Sequence, residues 1–180
     1  QCFEKSTIEK TAAHWTAANV IALFDTLKME AAFFVKDNLK KINLQSFVKT
    51  TGSKGLHVVI PIKRLYSWDK VKIFSRTFVQ YLAMQNPQLV VANMSKAKRK
   101  GKIFVDYLRN QRGASSIAPY STRIKGNAAV ATPLNWDELS TRIKSDTFTI
   151  KNLPQRLAKL KYDPWTDFFK LKQKLSLTMV

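Results

Sequence analysis

Three groups of residues have the types and spacing that chemistry requires. The first is Thr50-Thr51-Gly52-Ser53-Lys54-Gly55-Leu56-His57. Glycine lets the backbone come close to a bound group. Hydroxyls and backbone N–H groups can donate to phosphate oxygens, and Lys54 supplies a point charge. It is not a Walker loop, whose Gly-Lys-Ser/Thr opens a helix, because a strand pattern follows here. An ordinary hairpin turn has the same appearance, and spacing alone does not separate the two. The second is Asp106, set between Val105 and Tyr107 in an apolar run. A carboxylate buried there is costly unless it is paired or holds a metal, whereas one pointing to solvent by alternation costs nothing. The third is Arg123, after Pro119-Tyr120-Ser121-Thr122. Arginine suits bidentate phosphate contact, but it is also common on strand surfaces. His57 alternates with Val58 and need not share the apolar face; a lone histidine at a strand start is more often structural than catalytic.

The elements that would position these groups follow from periodicity. Residues 29–42 predict a helix, with Ala32, Phe33, Val35, Leu39 and Ile42 approximating one stripe. Residues 46–51 and 56–62 predict two strands around a loop containing Gly52 and Gly55. Residues 68–85 predict a long amphipathic helix, with Asp69 near its start and Pro87 beyond its end. Short strands are expected at 90–92, 102–108 and 128–132, with extended chain at 117–123 and a polar loop at 109–116. Helices are expected at 136–143, 153–160 and about 165–175, helped by Asn135, Asn152 and Pro164 at their starts. Residues 10–28 are Ala-rich and moderately helical in propensity. The tryptophans Trp15, Trp68, Trp136 and Trp165 lie near predicted helices and read as packing residues. This order of strands and helices implies an α+β fold, a mostly antiparallel sheet flanked by helices.

Composition restricts the class. The 180 residues include 31 Lys+Arg against 12 Asp+Glu, a formal net charge of +19. A hydrophobic fraction of 45% is that of a folded protein, not of a disordered basic tail. The surplus exceeds what solubility needs and points to a polyanion, nucleic acid ahead of an anionic membrane surface. Its densest run is Lys96, Lys98, Arg99, Lys100 and Lys102, a candidate DNA-backbone contact that would carry little sequence specificity. Cys2 is the only cysteine and there are two histidines, so neither a disulfide nor a Cys/His metal cluster is expected. The sequence contains no long apolar run and no leader-like start, so no membrane is expected as partner.

Read in order, longer segments resemble one family. Phe47-Val-Lys-Thr-Thr-Gly-Ser-Lys-Gly-Leu-His-Val-Val-Ile-Pro61 is similar to the second motif of the polymerase/primase domain of bacterial ATP-dependent DNA ligase D. That domain is a member of the archaeo-eukaryotic primase superfamily. Lys100-Gly-Lys-Ile-Phe-Val-Asp-Tyr-Leu-Arg-Asn110 resembles its third motif, and Ala118-Pro-Tyr-Ser-Thr-Arg123 the arginine strand that follows. Ala131–Leu139 and Asp146–Pro154 resemble its C-terminal end. The resemblance spans about 29–175, leaving 1–28 as a poorly matched segment before a partial domain at 29–180.

The resemblance implies a metal-dependent nucleotidyltransferase adding nucleotides at DNA ends or gaps during nonhomologous end joining. It implies Mg²⁺ or Mn²⁺ as cofactor and a nucleoside triphosphate as substrate. The implied partners are DNA ends or gapped DNA, with a ligase or end-binding protein. The implied location is cytoplasmic, in a bacterium, with the nucleoid. Asp106 would be a metal carboxylate, and His57 would support the nucleotide site. Thr51, Gly52, Ser53, Lys54 and Arg123 would contact the triphosphate, with Arg109 and Asn110 beside the nucleotide. One feature departs from the family: its first motif is an Asp-x-Asp pair. In one alignment Asp25 takes the first position and Leu27, which cannot bind a metal, the second. In the other, the motif is deleted and Asp25 has no metal role. The expectation is therefore a truncated or degenerate member with impaired transfer. The alternative is a non-catalytic nucleotide- and DNA-binding remnant.

Overall fold

A computed structural model describes residues 18–24, 28–124 and 127–175. Asp25, Trp15 and the residues of the 10–28 reading before Ala18 lie outside the described residues. The centre is a six-stranded sheet. Its strands are β1 (Ala18–Phe24), β2 (Phe47–Thr50), β3 (Gly55–Pro61), β4 (Val90–Val91), β5 (Ile103–Asp106) and β6 (Pro133–Leu134). They lie in the order β4-β5-β1-β3-β2-β6. Only β4 and β5 run parallel; every other pairing is antiparallel. The helices are α1 (Lys28–Lys41), α2 (Trp68–Gln85) and α3 (Leu153–Lys159).

The two faces of the sheet follow from a two-residue alternation. In β3 all seven residues are buried. Leu56, Val58 and Ile60 join the large core formed with α1 and α2. Helix α1 contributes Ala31, Ala32, Val35 and Leu39, spaced at three and four residues, and α2 contributes Val71, Phe74, Phe78, Val79 and Leu82. Ser67 caps α2 by accepting from the Lys70 N–H at 3.3 Å. Helix α1 ends in a Schellman turn: Asn43 takes a left-handed φ of 58°, and the Leu44 N–H donates to Leu39 O at 2.9 Å. Val59 points to the opposite face, against Phe47, Trp165 and Phe168. Trp165 and Phe168 stack at 4.9 Å, and the Trp165 indole N–H donates to Val48 O at 3.1 Å.

Several expectations change. Within the described part of the Ala-rich stretch, Ala18–Phe24 is a central strand and not a helix, held by seven register pairs to β3 and three to β5. Pairing on both sides overrides its modest local helix propensity. Residues 165–175 are not a helix but a series of turns, then extended chain, because Trp165 and Phe168 are drawn onto the sheet. The helix expected at 136–143 shrinks to one 3-10 turn, Trp136–Glu138, closed by a capping box between Asn135 and Glu138. Residues 128–132 form isolated bridges rather than a strand, pairing Thr122 with Val130 and Ala129 with Thr149. Trp68 is 38% exposed rather than packed.

Candidate functional site

The sheet register assembles the site. Asp106 of β5 lies opposite Ala22 of β1, Ala22 opposite His57 of β3, and His57 opposite Lys49 of β2. Directly opposed residues of antiparallel strands share a face, so Asp106, His57 and Lys49 lie on one side. It is the side away from α1 and α2. At the Val59 end Trp165 and Phe168 cover it. At the His57 end it is roofed by the loop after β5. The Ser116 hydroxyl meets His57 Nδ1 at 3.2 Å, and Lys49 Nζ donates to Ile117 O.

Three cations bear on this face. Burial holds His57 well below its ordinary pKa, and the charges of Lys49, Arg109 and Arg123 push the same way, so the ring is neutral at pH 7. Burial lowers Lys49 to about 7, helped by Arg123. Asp106 is buried. Its Oδ1 accepts from the Leu108 N–H at 2.9 Å, and its Oδ2 lies 3.7 Å from Arg109 Nε. Asn110, also buried, donates to Tyr107 O at 3.0 Å and fixes the turn between Asp106 and Arg109.

The loop 51–55 is tied from within. The Thr51 hydroxyl donates to Gly55 O at 2.9 Å and accepts from the Gly55 N–H at 3.1 Å. The Gly52 N–H donates to Ser145 O at 2.8 Å. Thr51 and Gly52 therefore shape the loop from inside. Gly52 has a φ of 65°, and a Cβ there would stand 3.0 Å from Ala129 O and 3.2 Å from Arg123 Cγ. Arg123 Nε donates to Thr51 O at 3.3 Å, which fastens the arginine to the loop. Ser53 and Lys54 face the other way, into a cleft of about 1010 Å³ shared with Lys28, Arg99 and Lys144 and with the carboxylates Glu30 and Asp146. Asp106, His57 and Arg123 do not line that cleft. The loop thus separates a cleft of mixed charge from the face of the sheet that carries His57 and Lys49.

Lys96, Lys98 and Lys100 stand exposed on and beside a 3-10 turn, with Lys102 half-buried after it. Arg99 differs from them. Its guanidinium lies 4.1 Å over the Phe104 ring and donates to Met94 O. Two positions escaped the sequence reading. Lys49 was not singled out as a site residue, and the structure buries it fully, with its Nζ donating to Ile117 O. Ala22 gave no chemical signal, although apolar Val20-Ile-Ala-Leu-Phe24 before a helix was a legible strand.

A two-metal centre needs carboxylates that converge on the reacting oxygens. Among the described residues no three His, Cys, Asp or Glu side chains group together. The β1 residue in register with Asp106 is Ala22, and two residues on is Phe24, in register with Phe104. The described residues by themselves do not make up a two-metal site. Among the described residues, no helix is long and apolar enough to cross a membrane.

Comparison with known proteins agrees with the fold and the motifs. The family described as LigD, primase-polymerase domain matches residues 24–165. The multifunctional non-homologous end joining protein LigD of Pseudomonas aeruginosa is 40% identical over 142 residues, 78% of this chain and 17% of that protein. The bifunctional LigD of Bacillus subtilis is 28% identical over 155 residues, 86% of this chain and 25% of that protein. The chain thus spans a quarter or less of either relative. The polymerase domain of Mycobacterium tuberculosis ligase D, solved in complex with DNA, superposes with a TM-score of 0.73 at 31% identity. That match covers 79% of this chain and 52% of the solved one. With its sheet, its motif loops and its arginine ribbon in this arrangement, the chain belongs to the LigD primase-polymerase domain family.

Proposed function

We propose that this chain works in nonhomologous end joining as a LigD-type primase-polymerase domain. In this reading it engages DNA ends or gaps together with a nucleoside triphosphate, and its own nucleotidyl transfer is impaired. The observation that carries the reading is the row Asp106, Ala22, His57 and Lys49 across neighbouring strands, with Arg109 3.7 Å from Asp106 and Arg123 fastened to the Thr51 carbonyl. Such a face neutralises a polyphosphate and offers a single carboxylate. Ser53 and Lys54 extend the anion-binding surface into the neighbouring cleft. DNA would run along Lys96, Lys98, Lys100 and Lys102, where exposed cations track a backbone without reading sequence. That the solved relative is a complex with DNA supports this part. A ligase or end-binding partner, Mg²⁺ or Mn²⁺, and a nucleoid location belong to the same reading through the family alone.

The alternative, a binding module with no transfer, is favoured by one specific observation: Ala22 and Phe24 occupy the β1 positions nearest Asp106 in register. Primer extension in Mn²⁺ tests both. The expected result is extension far below that of a complete LigD polymerase domain and lost in Asp106→Ala. Wild type and Asp106→Ala both inactive, with triphosphate binding retained, would establish the binding module. Absence of DNA binding and of triphosphate binding would overturn both readings.

A further inference from the structure

We propose that Asp163, in the segment between α3 and Trp165, is a positioning residue for Arg123 and acts on it through Tyr120. This rests on the triphosphate reading above and adds to that site a residue from outside its motifs. The turn Ala118-Pro119-Tyr120-Ser121 is closed by the Ser121 N–H, which donates to Ala118 O at 3.3 Å. Proline at its second position and a φ of 60° at its third, Tyr120, match a type II turn. That third position takes glycine or asparagine readily, and a tyrosine there is strained. What the tyrosine brings is its hydroxyl, which donates to Asp163 Oδ2 at 2.9 Å. Burial and the Asp163 carboxylate hold that hydroxyl above its ordinary pKa, so it stays the donor at neutral pH.

Asp163 is exposed, yet its carboxylate is held from the sheet. Its Oδ1 accepts from the Trp165 N–H at 2.7 Å, and the Trp165 indole N–H donates to Val48 O of β2 at 3.1 Å. Trp165 in turn stacks on Phe168 against Val59. On the other side, the Tyr120 turn feeds directly into the arginine. The Tyr120 N–H donates to Ala131 O at 2.6 Å, the Ala131 N–H to Ser121 O at 2.9 Å, and the Arg123 N–H to Ala129 O at 2.7 Å. This ladder brings Arg123 beside the 51–55 loop, where its Nε donates to Thr51 O at 3.3 Å. A Tyr120 released from Asp163 is free to leave the strained φ, which redirects the chain three residues ahead of the guanidinium. The Asp163 contact therefore ties the direction of Arg123 to the aromatic cover of the sheet.

Calorimetric titration of the full chain with inorganic triphosphate tests this, with a thermal melt on each variant. Tyr120→Phe and Asp163→Asn should each weaken binding by about threefold to tenfold, the scale of one lost hydrogen bond. The double variant should bind no more weakly than either single one, because both remove the same contact. In an Arg123→Gln background, Tyr120→Phe should have no further effect, a result that a general loss of stability would not produce. In a Tyr120→Gly background, whose turn needs no hydroxyl to hold it, Asp163→Asn should also have no effect. Should Tyr120→Phe not fold, Asp163→Asn alone and with Arg123→Gln carries the same comparison. Binding unchanged in Tyr120→Phe and Asp163→Asn but weakened in Arg123→Gln overturns the inference and leaves the triphosphate reading standing. Equal weakening by Tyr120→Phe with and without Arg123 overturns it as well. Absence of triphosphate binding in wild type overturns the two together.

Discussion

At the scale of single residues, Lys49 is the most consequential side chain in the molecule. It is fully buried and its pKa is held at about 7 by burial and by Arg123, against 10.5 when unfolded. Between these values the unfolded chain binds a proton that the folded chain does not, so stability rises with pH across that window. From pH 7 to pH 9 the gain is about 2 kcal/mol. His57 adds little there, since its unfolded form has already lost its proton. Urea unfolding at the two pH values should show this rise in wild type, and Lys49→Met should remove most of it. A slope that survives in Lys49→Met would place its source elsewhere. The lysine was legible as a residue of the motif strand, but its burial was not. Alternation assigns a strand residue to a face; it does not say that a loop sixty residues downstream closes over that face.

At the scale of elements, the loop 51–55 and the segment 118–123, which carries Arg123 and bridges to Val130, behave as one unit. Their contact is the close approach at Gly52, where the left-handed φ and the nearby Ala129 carbonyl both exclude a side chain. Gly52→Ala should cost about 1–2 kcal/mol from the conformation alone. It should also move the segment away, weakening triphosphate binding while Asp106 and Arg109 keep their places. A thermal melt and a titration on the same variant check both effects. The elements legible in the sequence were those with dense local patterning. Helix α2 occupies residues 68–85 as its stripe, Asp69 and Pro87 imply, and β2 and β3 flank their glycine loop. Ala18–Phe24 and residues 165–175 were misread because distant partners decide their conformation. Two neighbouring strands recruit the first, and the sheet face at Val59 captures the second through two aromatic rings.

At the scale of the whole molecule, the charge of +19 has two destinations. Some cations are structural, as where Arg99 lies on Phe104 and Arg156 holds Glu138. The remainder form surfaces. DNA binding should fall steeply with salt, because each phosphate contact releases condensed counterions. Replacing Lys96, Lys98, Lys100 and Lys102 together by serine should flatten the log–log salt dependence by up to about 4. Arg99→Ser should instead lower stability with little change of slope. Fluorescence anisotropy on a gapped duplex across a salt series checks both. The described edges of the sheet are β4 and β6, two residues each, the latter opening with Pro133, and so short an edge offers little to pair with.

The position of β1 in the sheet has a consequence for how the chain is made. It is the sole link in the strand order between the β3-β2-β6 half and the β4-β5 half. During synthesis, β1 and its partner β3 emerge long before β5, because α2 intervenes. Until then the free side of β1 is an unpaired template at the future centre of the sheet, with none of the protection that the finished edges have. The interval between the emergence of β3 and that of β5 is therefore the time when the nascent chain is most open to capture by another strand.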